Sequence, residues 1–212
     1  MNIAIIGAGS VGKALAGSCV RAGHSVVLSS ANGDTAAAVA AATGARAAES
    51  NLAAVRDADI VVLAVPYGAL VDVLDEIGPG VVGKIVVDAT NPLKPDYSGL
   101  AVEGESSAEK IQAKIPGAHV AKAFNTVLAA RQAEPSIAGL DADAYVAADD
   151  EATRARVLEL AKSLGLHPID AGDLIMARAL EAMAFLNISL QMRHEWSWQS
   201  AWKLVGPDGD AS

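Results

Sequence analysis

Three glycines, Gly7, Gly9 and Gly12, stand in the stretch IAIIGAGSVG with the spacing G-x-G-x-x-G. Such a spacing makes and breaks no bonds; it makes room. The first glycine permits a tight turn out of a strand, the second lets backbone approach a pyrophosphate, and the third lets the next helix pack closely on the strand. The helix N-terminus then offers N–H donors and a positive dipole to phosphate. Gly7, Ala8, Gly9, Ser10, Val11 and Gly12 are therefore expected to form a dinucleotide cradle. About 20 residues further on, chains that take NAD end their second strand with an Asp or Glu for the ribose 2′-hydroxyl. Here VVLSSANGD supplies Ser29, Ser30 and Asn32 instead. A carboxylate would repel a 2′-phosphate, so its replacement by neutral donors favours NADP(H) over NAD(H). No arginine stands between Arg21 and Arg46, and Asp34 is read as a helix-start residue.

Elsewhere the reactive residue types are scattered. His24, His119, His167 and His194 fall at turns, strand starts and the tail, where surface or capping roles are expected, and no H-E-x-x-H pattern exists. Cys19 is the one cysteine, which excludes an internal disulfide, and on an Ala-rich helix it is read as a space filler. Asp88 and Asn91 end a strand beside the expected cleft, fit either for function or for orienting a loop through hydrogen bonds. No catalytic residue and no metal ligand is assigned.

The elements that must hold these residues alternate along the chain. Strands are expected at 2–7, 25–30, 59–66, 83–92, 117–126, 143–149 and 166–172, with a short extended piece near 45–48. Helices are expected at 11–23, 34–44, 52–58, 68–78 and 151–164. The strands read as unbroken Val/Ile-rich runs, as parallel strands covered on both faces do. The expected class is α/β: a Rossmann-type doubly wound parallel sheet with a long C-terminal helix packed on it. Residues 1–172 form the dinucleotide-binding domain; 173–212 form a helical segment and tail belonging to the same compact unit. Residues 91–107, rich in Pro, Gly and Ser, read as a long loop at a strand end, where open α/β sheets bind ligands. From Asp173 to about Leu204 the pattern is helical and, through Ile188, apolar on nearly every face.

Composition narrows the function classes. The chain has 212 residues, 52% hydrophobic and 19% charged, with 16 basic against 25 acidic residues and a net charge of −9. That balance disfavours nucleic acid and anionic membranes as partners. No uninterrupted apolar run reaches the roughly 18 residues of a membrane span, and no secretory signal is legible, so a cytoplasmic protein is expected. Trp196, Trp198 and Trp202 cluster in the tail beside the apolar helix. Together they suggest a homodimer formed through the C-terminal helix, or a cap over a second ring site.

Four further segments complete a pattern: LAVPYGAL (63–70), IVVDATNPL (85–93), VAKAFNT (120–126) and HPIDAGDLIMARALEAMA (167–184). With the Gly-rich turn they resemble, in order and spacing, the NADPH-dependent reductases of the deazaflavin coenzyme F420, and also the cytosolic domain of six-transmembrane metalloreductases. The resemblance runs from residue 1 to about 205. It implies hydride transfer between NADP(H) and a flavin-like small-molecule acceptor, coenzyme F420 or a flavin, with no protein nucleophile and no metal. It implies that Ala64, Val65 and Pro66 border the adenosine and nicotinamide-ribose side. Thr90, Asn91, Pro92 and Leu93 would lie near the nicotinamide, and Ala123, Asn125 and Thr126 would face the second cofactor. Asn125 stands where deazaflavin reductases often carry histidine, whereas KAFNT is the metalloreductase form. Alternatives are a reductase of another acceptor (a flavin or ferric chelate, an imine or keto substrate) and a non-catalytic NADP(H) sensor.

Overall fold

In the computed structural model, residues 1–206 are described. The end of the expected C-terminal segment, 207–212, lies outside the described residues. The chain opens on strand β1 (Asn2–Ile6), helix α1 (Ser10–Arg21), β2 (Ser25–Ser29), α2 (Gly33–Thr43), β3 (Arg46–Ala47) and α3 (Asn51–Val55). It continues through β4 (Ile60–Leu63), α4 (Leu70–Ile77), β5 (Ile85–Asp88), α5 (Ser107–Lys114), β6 (His119–Lys122) and α6 (Ala129–Ala133). The last part holds a small hairpin, β7 (Ser136–Ile137) and β8 (Leu140–Asp141), then β9 (Asp143–Ala148), α7 (Glu151–Ser163), β10 (His167–Gly172) and α8 (Ala177–His194).

Among the described residues one sheet runs in the order β10-β9-β6-β5-β4-β1-β2-β3. The six strands from β3 to β6 are parallel and carry the doubly wound order 3-2-1-4-5-6, so the chain reverses its direction of winding between β1 and β4. Strand β9 runs antiparallel to β6, and β10 runs parallel to β9. The parallel strands are short because each is buried on both faces: every residue of β4 is buried, and Ile3 to Ile6 of β1 are too. One core layer sits under α1 and α7, around Leu15, Cys19, Leu28, Val62, Val157 and Leu160; the other sits under α3, α4 and α5, around Ile6, Leu63, Leu74, Ile77 and Ile111. At roughly 1.5–3 kcal/mol per large aliphatic side chain removed from water, these two layers hold the sheet flat between its helices. Burial pushes the Cys19 thiol up to about 12, which leaves it a packing group.

The sequence expectations hold for the alternation; the structure departs from them in the antiparallel β9, in the short α6 and the β7–β8 hairpin, and in two further segments. Residues 107–114 form α5, opened by a capping box in which the Ser106 hydroxyl accepts from the Glu109 N–H and the Glu109 carboxylate accepts from the Ser106 N–H. The expected loop at 91–107 gives way to that helix at its last residue, and is pinned midway by a bridge between Leu93 and Leu100. The C-terminal helix stops at His194, where Glu195 turns left-handed at φ 52°, so the stretch from 195 to about 204, expected to be helical, is not.

Helix α8, expected to be apolar on nearly every face through Ile188, buries a face of mixed polarity. Its inner face buries Glu181, Asn187 and Gln191 beside Ala177, Leu180 and Ala184, while Leu186 and Met192 stand about half exposed. Asn187 and Gln191 are tied to the returning tail: Gln191 accepts from the Trp198 N–H and donates to Ser200, whose hydroxyl donates to Asn187. The tail then joins the first residue of β9, since the Asp143 N–H donates to the Trp202 carbonyl and Lys203 pairs with the Asp143 carboxylate. Length and composition alone would let Leu174–His194 cross a membrane, with mean hydropathy 1.2. Glu181 argues otherwise: its buried carboxylate is paired with Lys122 of β6, which fixes the helix to the sheet. Replacing Ser106 with Ala removes the α5 cap and is expected to lower stability by about 1–2 kcal/mol in urea unfolding. An unchanged midpoint would show that the box contributes nothing.

Candidate cofactor site

The Gly-rich turn is built by contact. The N–H of Gly7 donates to the Ser29 carbonyl at 2.9 Å, and the Ala64 N–H donates to the Ile6 carbonyl at 2.8 Å, so the ends of β1, β2 and β4 are drawn to one edge. Gly7 has φ +113°, and a Cβ on it would overlap the Ala64 carbonyl. A Cβ on Gly12 would overlap the Gly7 carbonyl. Gly9 is the opposite case: it is exposed, has ordinary extended backbone, and a Cβ there meets nothing within 4 Å. Two of the glycines are thus required by the fold, and the middle one keeps open the space before the start of α1. Among the described residues no side chain caps that helix start and none of its first turn is acidic. Ser10 is exposed and Ala8 and Val11 are half buried beside it, so the opening suits an anionic pyrophosphate. Ala64 and Val65 are half buried and Pro66 exposed on the facing β4 end, across the winding reversal.

At the 2′ position the expected residues divide. Ser29 is fully buried, and its hydroxyl donates to Asn51 Oδ1 at 2.8 Å, while Asn51 in turn donates twice to Glu76. Its side chain holds β2 against α3 and is not presented to a ligand, which corrects the expectation for Ser29. Ser30 is half buried and accepts from the Asn32 N–H at 3.3 Å. Asn32 caps α2 through its side-chain oxygen, which accepts from the Thr35 N–H at 3.1 Å, leaving the amide nitrogen facing solvent. Ser30, the Asn32 amide and the start of α2 are the donors that a 2′-phosphate would meet.

Beyond the reversal point, the ends of β5 and β6 form a single hydrogen-bonded unit. Asp88 Oδ1 accepts from both the N–H and the hydroxyl of Thr90, at 2.9 and 2.7 Å. Asn91 and Asn125 are linked twice, Asn91 to the Asn125 carbonyl and Asn125 to the Asn91 side-chain oxygen, each at 3.1 Å, and Asn125 also donates to the Leu180 carbonyl of α8. Between them Phe124 is buried in a left-handed conformation, φ 65°, with its carbonyl held by Gln132. That strain is maintained by packing and turns Asn125 and Thr126 out of the strand. Asn125 Oδ1 and Thr126 Oγ1 are buried with no partner among the described residues, as a site completed by a ligand amide would require. Pro92 is buried and Leu93 is half buried against Leu100. Ala123 lies wholly inside the core, so its side chain faces no cofactor; this too corrects the expectation.

Beneath this unit sits a charge cluster that sequence reasoning missed. Lys122 is fully buried and its ammonium donates to Asp88 Oδ2, the Thr90 carbonyl and Glu181 Oε1, each at 2.8 Å. Glu181 Oε1 also accepts from the Ser107 N–H at 2.9 Å, whereas Oε2 has no partner among the described residues. Burial raises the Glu181 carboxyl above its ordinary range; Lys122 opposes that rise and Asp88 adds to it. Nearby on the outer surface, Arg178 grips Glu109 with two bonds of 2.8 and 2.6 Å and holds that carboxyl down at about 2. A lysine in the middle of the apolar run VAKAF was the available signal, because such a residue in a doubly covered strand must find buried partners. Two cavities open away from this cluster: one of about 220 Å³ beside Arg46 and Asp57, and another of about 570 Å³ along α1 past Lys13 and Arg21, meeting the Gly-rich turn at Ser10.

Residues 2–92 match the family model for coenzyme F420-dependent NADP oxidoreductases. The F420-dependent NADP reductase of Methanothermobacter thermautotrophicus is 32% identical, over 92% of this chain and 90% of that one. The chain belongs to the F420-dependent NADP reductase family. A crystal structure of a proposed F420-dependent NADP reductase from Arthrobacter sp. FB24 superposes with a TM-score of 0.87 at 29% identity, covering 97% of this chain and all of that one. Metalloreductase STEAP3 of Rattus norvegicus is 29% identical over 86% of this chain, which spans 36% of that protein. An imine reductase of Streptomyces aurantiacus, at 17% identity and a TM-score of 0.67, shares the fold. Within this reductase family the Gly7–Gly12 cradle, the Ser30–Asn32 loop and the Thr90–Asn91 turn occupy one edge of the sheet.

Two predictions follow from these contacts. Gly9→Ala should leave the unfolding midpoint within about 0.5 kcal/mol while weakening nucleotide binding tenfold or more, whereas Gly12→Ala should cost about 3 kcal/mol or prevent folding. Equal thermal shifts for the two variants would contradict the contact geometry. The second concerns pH. Since the folded state raises the Glu181 carboxyl, it binds that proton more readily than the unfolded chain, and the associated stability is present at acid pH and lost as pH rises past the ordinary value near 4.5. Glu109, held low by Arg178, has the opposite sign: its contribution is present above about 4.5 and fades as pH falls toward 2. Denaturant titrations of Glu181→Gln should therefore show less loss of stability than the native protein as pH rises above about 4.5; parallel curves would count against it.

Proposed function

We propose that this protein transfers hydride between NADP(H) and a flavin-like acceptor, with coenzyme F420 the first acceptor to test. The observation that carries the proposal is the pairing, at one edge of the sheet, of an open phosphate cradle at Gly9 with the strained, partly unsatisfied Asn125–Thr126 end across the winding reversal. The nicotinamide supplies the hydride chemistry; the chain's own task is to orient two rings and keep water from between them. Ser30 and the Asn32 amide receive the 2′-phosphate. Thr90, Asn91, Asn125 and Thr126 position the ring end, held in place by the bonds described above. Because neutral donors replace a cation, NADP(H) should be preferred over NAD(H) by about tenfold.

Anaerobic stopped-flow mixing of NADPH-loaded protein with coenzyme F420, a free flavin, a ferric chelate and a cyclic imine tests the acceptor. Rapid bleaching with F420 alone supports the proposal. Faster turnover of the ferric chelate or flavin would favour the metalloreductase-like alternative suggested by KAFNT, and nucleotide binding without reduction of any acceptor would favour a sensor. The half-exposed Leu186 and Met192 of α8, with the outward Trp196 and Trp198, fit a cytoplasmic homodimer assembled through this helix. Light scattering measures that state directly.

A further inference from the structure

The cluster beneath the Thr90–Asn91 turn contains one more carboxyl than it can balance. A single ammonium, Lys122, has its three N–H bonds directed at three acceptors, two of which are carboxylates. Asp88 is fully engaged: one oxygen takes Lys122 and the other takes both donors of Thr90. Glu181 is not, because Oε1 takes Lys122 and the Ser107 N–H while Oε2 is bare, and the side chain is about 1% exposed. With both acids ionised the sealed cluster would carry −1; with one proton on Glu181 it is neutral. Among the described residues, the elements packed around Glu181 bring no other free charge to it. Strand β5 contributes Asp88, β6 contributes Lys122, α5 contributes the Ser107 N–H, and the Arg178–Glu109 pair between α8 and α5 is closed on itself.

This cluster is bonded directly to the residues that would hold the ring end of the nucleotide. Lys122 donates to the Thr90 carbonyl, and Asn125 donates to the carbonyl of Leu180, the residue before Glu181. The oxidised nicotinamide is a cation and the reduced one is neutral, so the two forms differ by one positive charge at that end. In a region sealed from water, a unit charge a few residues away shifts a carboxyl's proton affinity by about one pH unit. We propose that Glu181 is a positioning residue for charge: it holds a proton when the reduced nucleotide is bound and gives it to solvent when the oxidised nucleotide is bound. The step breaks the Glu181 O–H bond, leaves the carboxylate paired with Lys122, delivers H⁺ to bulk water and changes no oxidation state. By linkage, the ionised form of Glu181 then favours NADP⁺ over NADPH to the same extent. The proposal rests on the nicotinamide lying at the Thr90–Asn91 and Asn125–Thr126 end.

The test is calorimetry of NADP⁺ and NADPH binding to the full chain, in two buffers of different protonation enthalpy, for the native protein and Glu181→Gln. The 2′-phosphate titrates in both nucleotides and cancels in the comparison. The native protein should release up to about one proton more on binding NADP⁺ than on binding NADPH. Its ratio of Kd for NADPH to Kd for NADP⁺ should climb by up to roughly tenfold as pH rises through the titration of Glu181. In Glu181→Gln both effects should vanish while both nucleotides still bind. Equal proton counts in the native protein overturn the proposal, as does a pH-dependent ratio that survives in the variant. Should the variant fail to fold, infrared difference spectra of the native protein decide: a protonated-carboxyl band present with NADPH and absent with NADP⁺ supports the proposal, and no such difference overturns it. Failure of either nucleotide to bind would sink the cofactor assignment itself, and this inference with it.

Discussion

The close approach of three strand ends at Gly7 is the constraint on which the rest depends. The turn out of β1 passes so near the end of β4 that any Cβ on Gly7 would enter the Ala64 carbonyl, and α1 leaves it so tightly that any Cβ on Gly12 would enter the Gly7 carbonyl. Two positions are thus given over to glycine by packing, at an entropic cost the fold must offset. What results is a helix start with free N–H groups and an open space in front of it at Gly9, set where the winding of the sheet reverses. Every other candidate ligand-facing residue is positioned relative to that gap.

The second organising element is electrostatic and buried. Lys122 ties β5, β6 and α8 together through Asp88, the Thr90 carbonyl and Glu181, and Ser107 adds the start of α5. A hydrophobic replacement could fill the same volume with little loss of stability, so the cluster is weak evidence of stabilisation. What it supplies is geometry, since an ammonium with three fixed acceptors allows the Thr90–Asn91 turn one position relative to the helix. It also explains why α8 turns Glu181 inward.

Fold likeness and family likeness carry different weights here. The imine reductase shares the sheet at 17% identity and is only 62% covered by this chain, which says that the doubly wound scaffold is common to several chemistries. The reductase relative is matched along nearly its whole length at 32% identity, which carries family membership and not the fold alone. Among the described residues the β2–α2 turn carries Ser30 and Asn32, with hydroxyl and amide groups and no lysine or arginine between Arg21 and Arg46.

The amino-acid sequence by itself determined the doubly wound class, the Gly-rich turn and the order of the strands, because these depend on local signals: unbroken Val/Ile runs, glycine spacing and helix periodicity. It also marked Asp88 and Asn91 through their place at a strand end, while Thr90 and Asn125 were singled out only by the family resemblance. Only the tertiary structure decided that Ser29 is turned away onto Asn51 and that Ala123 lies inside the core, because a side chain's direction at a strand end depends on register with neighbours far along the chain. The pairing of Lys122 with Glu181, 59 residues apart, was likewise invisible. Read locally, one was a charge in an apolar strand and the other a charge on an apolar helix. Only when packing removed both from water did each become the other's necessary partner.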